Sequence, residues 1–203
     1  MPPTQYKGSG AHSFSGCVAT RPECAILIAS IVTEWSNAEG FLSFAFGILV
    51  FKDQEPDPAP DGKHSIGERI VKHALELATT FNQKRNVFLT ATKLRFGQAV
   101  FLRMKPHLNR LSDLAEKRNF VAHGRWSIDQ ALPRDLVWNR SIVDEEPMLY
   151  TPETLREIFD EIAKATRDFQ VAFLSELSPE AKAIAQGLIQ TQLVAPQQPG
   201  NNT

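Results

Sequence analysis

The feature that most constrains the fold of this chain is an apolar segment at residues 25–51, which is long enough to span a membrane. Its apolar residues recur at helical intervals behind Pro22 and Glu23, which suit the first turn of a helix. However, Glu34, Asn37 and Glu39 stand in its middle, where charge is costly in lipid. We therefore predict a buried helix, or helical turns that flank a polar seam, and no membrane partner.

Composition is that of an ordinary soluble globular protein, and 203 residues suit one domain. Cys17 and Cys24 are spaced C-x6-C, which matches no common zinc or redox pattern, so we expect neither a metal nor a cofactor. The N-terminus lacks the basic start and apolar run of a signal peptide, and we expect a cytoplasmic protein. Residues 1–21 are rich in Gly, Ser and Pro and are predicted to be flexible.

Periodicity and start signals predict further helices after the proline-rich loop at 52–64. One begins near Ser65 and continues or restarts through residues 87–94. Gly97 and Pro106 interrupt the next region, so its helix is predicted to be kinked or to begin afresh near Pro106. The sequence Thr151-Pro152-Glu153 starts another helix, with an apolar stripe to about residue 177, and Ser178-Pro179-Glu180 starts a last short one.

Between these helices, residues 125–150 contain short β-like stretches, RWSID, DLVWN and PMLYT, that predict a small hairpin or meander. The predicted fold is therefore mainly α, a helical bundle with this small β insert. It forms a single domain at 22–190, followed by a disordered tail at 191–203.

Charge is unevenly distributed along the chain. Residues 1–83 carry a net −3, residues 84–125 a net +8 and residues 126–203 a net −6. The basic stretch is the electrostatic footprint expected for a polyanion partner. The alternative is that its charges pair with the acidic flanks, in the fold or within a dimer. The sequence leaves both open.

The candidate site lies at the end of the predicted helix 108–123. Asn119 and His123 are four residues apart and share one helical face, and Arg118 stands beside Asn119. Gly124 is predicted to end the helix in a left-handed turn. A helix that ends in cations and a glycine is also common without any function, because cations suit the negative end of the helix dipole.

The segment LAEKRNFVAHGRW resembles the Arg-x4–6-His signature of HEPN domains, in which a polar residue often follows the Arg. The order of helices over roughly 22–177 is also similar, whereas the β insert is outside the minimal family pattern. The resemblance implies a helical bundle that forms a two-fold homodimer and brings two motifs together across a cleft. Many such domains are metal-independent ribonucleases, often toxins or antiviral defence effectors. Others are catalytically inactive modules.

The resemblance implies Arg118, Asn119 and His123 as catalytic residues. RNA supplies its own nucleophile, the 2′-hydroxyl, so His123 would transfer protons and Arg118 would hold the scissile phosphate. Asn119 would orient His123 or contact phosphate. Lys117 and Arg125 flank the motif, and on position alone we expect them to guide the RNA backbone.

Three functions follow as alternatives. The first is an RNA-cleaving homodimer, with an antitoxin or other protein as a further partner. The second is an inactive module that binds nucleotide, RNA or protein, and the third is a well-capped helix end without function.

Other residues have two interpretations, one of them structural. Glu34 and Glu39 either line the same cleft or face water. The three tryptophans either stack bases or fill the core or a dimer interface, and we favour the second interpretation: Trp35, Trp126 and Trp138.

Overall fold

Long helices and a small antiparallel sheet form the part of the chain that the computed structural model describes, residues 2–14, 16–51, 77–139, 147–179 and 182–183. The helices are α1 (Pro22–Phe51), α2 (Phe81–His123) and α3 (Pro152–Ser175), and a short 3₁₀ helix (Cys17–Thr20) precedes α1. The strands are β1 (Thr4–Gln5), β2 (Arg125–Ser127), β3 (Leu136–Asn139) and β4 (Met148–Tyr150). The mainly helical prediction and the strands of the insert are confirmed.

Helix α1 occupies the predicted apolar segment. One stripe of its side chains is buried in the core, including Ile31, Trp35, Leu42 and Leu49. Its carboxylates lie on the polar side, where Glu39 accepts a hydrogen bond from Lys84 at 3.3 Å. Among the described residues, no helix combines the length and the apolar character needed to cross a bilayer.

The element α2 consists of two helical arms that meet at Gly97 and form a helical hairpin. This glycine has φ 84° and ψ 178°, a conformation that side chains with a Cβ rarely adopt, and it reverses the chain between residues 81–96 and 98–123. Contacts between the arms are centred on residue 97: Arg85 donates to Asn109, and Ser112 donates to Asn82. The predicted interruption at Gly97 is confirmed, whereas the helix does not begin afresh near Pro106, which lies inside the second arm.

The helices pack around an aromatic centre. Phe41 of α1 and Phe88 of the first arm both contact Phe169 and Phe173 of α3, with ring centroids 5.4–6.0 Å apart. Glu23 at the start of α1 also pairs with Arg156 at the start of α3, so these two helices run in the same direction. The second arm runs opposite to α3, since its ion pairs join Arg103 to Glu176 and Lys117 to Glu161.

The sheet lies at the end of the bundle where the second arm ends and α1 and α3 begin. Its strand order is β1-β4-β3-β2, and every neighbouring pair is antiparallel. Thr151 caps α3 directly after β4 by accepting a hydrogen bond from the Thr154 amide, as its sequence predicts.

The N-terminal segment, predicted to be flexible, is attached to this sheet by hydrogen bonds. Strand β1 pairs with β4, and His12 pairs with Ile128. The side chain of Tyr6 is buried, and its hydroxyl donates to Asp129 at 2.6 Å. Glycine-rich composition did not indicate this attachment, because the partners are more than a hundred residues away.

Three predictions lie wholly or mainly outside the described residues: the loop at 52–64, the helix that begins near Ser65, and the tail at 191–203. At the predicted start of the last short helix, the amide of Lys182 donates to the carbonyl of Ser178 at 2.8 Å.

Candidate functional site

The motif residues lie in the last two turns of the second arm of α2. Arg118 is half-buried, whereas Asn119 and His123 are exposed. Arg118 Nη1 donates to Asn119 Oδ1 at 3.1 Å. Arg118 Nε is buried and has no hydrogen-bond partner among the described residues. The guanidinium is thus partly desolvated, and Asn119 holds one of its ends toward solvent.

His123 is the last residue of the helix, and no hydrogen bond or ion pair joins it to another described residue. Its imidazole is therefore open to solvent and accessible to a ligand. His123 follows Arg118 by five positions in the sequence, which places the two side chains about 140° apart around the helix axis. Asn119 and His123 share a face, as predicted, but Arg118 and His123 do not converge within one chain.

The end of the motif helix is fixed by Trp138 of β3. Its indole Nε1 donates to the carbonyl of Phe120 at 2.9 Å, and its ring meets the Phe120 ring edge-on at 5.3 Å. Gly124 follows with φ −64° and ψ 144°, so the predicted left-handed turn is wrong. Glycine is required here by space, since a Cβ on Gly124 would overlap the Trp138 indole and lie 2.7 Å from the carbonyl oxygen of Phe120.

Trp138 is the residue at this site that sequence reasoning missed. We favoured a core or interface role for all three tryptophans, and Trp35 and Trp126 are indeed buried. The pairing of β2 with β3 sets Trp138 opposite Trp126 and beside the motif. Only the hairpin register brings it there, and no local pattern in the sequence encodes that register.

The flanking basic residues differ in their surroundings. Lys117 donates to Glu161 of α3 at 2.8 Å and shares that carboxylate with Arg110, whereas Arg125 is exposed at the start of β2. Of the ten basic residues at 84–125, four make ion pairs with carboxylates of α1, α3 or the residue after α3: Lys84, Arg103, Arg110 and Lys117. Pairing with the acidic flanks therefore accounts for part of the basic stretch.

Glu34 and Glu39 were predicted either to line the same cleft or to face water. Glu39 pairs with Lys84, and Glu34 accepts a hydrogen bond from Asn37 within α1. Neither is hydrogen-bonded to a motif residue in the described part of the chain.

The two cysteines are buried thiols. Cys17 donates to the carbonyl of Trp126, and Cys24 donates to that of Arg134. Burial raises the pKa of the Cys24 thiol to about 12, so it remains protonated and is not a nucleophile near neutral pH. Within the described ranges, no three His, Cys, Asp or Glu side chains are grouped as metal ligands would be.

The family of the chain is not identified by comparison. Family models, curated proteins and solved structures contain no match to this sequence or fold.

A pocket of about 490 Å³ opens beside the motif, between the end of α2, the sheet and α3. Its walls are mostly apolar and include the side chains of Phe120, Trp138, Met148, Tyr150 and Ile158. Two prolines of the N-terminal segment and three charged residues also line it: Pro2, Pro3, Lys117, Glu157 and Glu161. The pocket therefore shares Lys117 and Phe120 with the helix that carries the motif.

Proposed function

We propose that this chain is a metal-independent RNA-cleaving protein of HEPN type, whose site is completed when two copies form a homodimer. The proposal rests on the exposure and the hydrogen-bond partners of the motif residues Arg118 and His123. His123 is exposed and unpaired among the described residues, and Arg118, five positions earlier in the same helix, has one guanidinium nitrogen desolvated. Such a pair is suited to proton transfer and to binding of a phosphate.

The chemistry needs only groups that the motif and the RNA supply. The imidazole of His123 takes the proton of the 2′-hydroxyl, whose oxygen attacks the adjacent phosphorus. The bond from phosphorus to the 5′ oxygen breaks, and that oxygen takes the proton back from the imidazolium. Arg118 neutralises the charge that builds on the phosphoryl oxygens. The products are a 2′,3′-cyclic phosphate and a free 5′-hydroxyl.

A second copy is part of the proposal because of the angle between the two side chains. With about 140° between them, Arg118 and His123 of one helix do not face the same phosphate. A two-fold axis near the end of the second arm would set His123 of one copy opposite Arg118 of the other. Asn119 then restrains the guanidinium, since it already accepts a hydrogen bond from it.

The direct test incubates the purified chain with total RNA in EDTA. We expect cleavage, and we expect His123→Ala to lower its rate at least a hundredfold, which is the usual contribution of a general acid or base. His107→Ala is the matched control, because His107 lies in the same arm of α2 but about four turns earlier. Cleavage that survives His123→Ala would remove His123 from the mechanism. RNA that is bound but never cut would favour the inactive binding module.

A further inference from the structure

We propose that the pocket beside the motif holds one nucleobase of the RNA strand, with the base against Phe120 and Trp138. This inference rests on the proposed function, since it names a subsite for the same substrate. The pocket volume of about 490 Å³ is within the range of small-ligand sites and exceeds what a single base needs.

The position of the pocket supports this assignment. Phe120 precedes His123 by three residues, so their Cβ atoms are roughly 5–6 Å apart on one side of the helix. A base in contact with Phe120 would therefore lie on the same side of the helix as the imidazole that would act on its own or the adjacent ribose, although His123 does not itself line the pocket. Arg125, exposed directly after the helix, is placed to meet the backbone outside the pocket.

The lining favours a base over a phosphate. Phe120 and Trp138 meet edge-on, so their rings offer two differently oriented surfaces to a flat aromatic group. The walls are mostly apolar, and their charged side chains are two carboxylates and one ammonium group, which offer a phosphate little to bind. Lys117 does not reverse this preference, because its ammonium group is already bound to Glu161.

Glu161 gives the pocket a hydrogen-bond acceptor. Its Oε2 accepts from both Arg110 and Lys117, at 3.0 and 2.8 Å, and these two cations hold the carboxylate in place. Its Oε1 has no partner among the described residues and can accept from the N–H groups on the edge of a base. Stacking and one such acceptor are the usual elements of single-stranded base recognition.

The test measures base binding apart from cleavage, in the His123→Ala chain. The four ribonucleoside 5′-monophosphates are titrated while the indole N–H resonance of Trp138 is followed by NMR, with inorganic phosphate as the ligand control. The resonance of Trp35 serves as the internal reference, because its indole is buried and does not line the pocket. We expect at least one nucleotide to shift the Trp138 signal in a saturable way and phosphate to leave it unchanged.

Phe120→Leu should weaken that binding by at least about fivefold, because it removes a stacking ring. Phe14→Leu is the matched control, since Phe14 has a similar exposed fraction, 46% against 39%, but does not line the pocket. Equal thermal stability of the two variants would exclude unfolding as the cause. If no nucleotide shifts the Trp138 signal, or if Phe120→Leu leaves nucleotide binding unchanged, the base pocket is overturned even if the chain cleaves RNA. Base binding by a chain that never cleaves RNA would instead reject the proposed function alone.

Discussion

Glycine is required at position 124 by packing and not by backbone conformation. Its φ and ψ are in the extended region, which any residue adopts. The space for a side chain is occupied by Trp138, which also donates to the last turn of the motif helix. Because His123 immediately precedes Gly124, this packing also fixes the position of the His123 backbone, from which the imidazole extends.

Gly124→Ala should therefore lower the free energy of unfolding by about 1–3 kcal/mol, the usual cost of an extra methyl group in a filled site. Urea denaturation measures the change. Gly40→Ala in α1 is the control, because a Cβ there meets nothing within 4 Å and should be neutral or stabilise by up to about 1 kcal/mol.

Combining Gly124→Ala with Trp138→Ala tests the stated cause. Once the indole is gone, only the close approach to the Phe120 carbonyl oxygen remains, so adding the methyl group should cost less than in the original chain and the two effects should not be additive. Full additivity, or a Gly124→Ala chain as stable as the original, would contradict the packing account.

Elements that carry their own local signals were predictable from the sequence. The start of α3 has a capping threonine, a proline and an acidic residue in the first turn, and its apolar stripe matches the buried residues closely. The α2 hairpin was less predictable, because Gly97 was interpreted as an interruption and not as a reversal. The contacts that define the reversal join residues up to 30 positions apart, as between Asn82 and Ser112.

The attachment of the N-terminal segment depends on Tyr6 and should be sensitive to pH. Asp129 accepts hydrogen bonds from the Tyr6 hydroxyl and from the Ala131 amide. Both lower the pKa of Asp129 below its ordinary value, and the bond from Tyr6 contributes more. A lowered folded-state pKa stabilises the attachment above the ordinary Asp range, and that contribution is lost as the pH falls through the lowered value. Acid should therefore release this segment.

Tyr6→Phe should raise the pKa of Asp129 toward its ordinary value and speed exchange of the His12 amide, which donates to Ile128. NMR titration and hydrogen exchange measure the two effects. Asp135 is the internal reference, since burial raises its pKa and Tyr6 is not among the causes. An unchanged Asp129 titration would show that Tyr6 does not hold this carboxylate.

For the whole molecule, the sequence located the candidate site but not its architecture. Arg118, Asn119 and His123 fall at a helix end, as their spacing predicts, and Asn119 contacts Arg118. Trp138, Gly124 and the pocket were not predictable, because each depends on how the sheet packs against the helix. Oligomeric association is likewise set by surfaces that a local pattern does not encode.

The central claim is that Arg118 and His123 act together across two copies of the chain, and complementation between inactive variants tests it most directly. Arg118→Ala and His123→Ala chains are each expected to be inactive in EDTA. Unfolded together and refolded as a mixture, they should recover about a quarter of the original cleavage rate, because half of the random dimers then hold one intact site of two. A mixture as inactive as either variant alone would contradict a site shared between two copies.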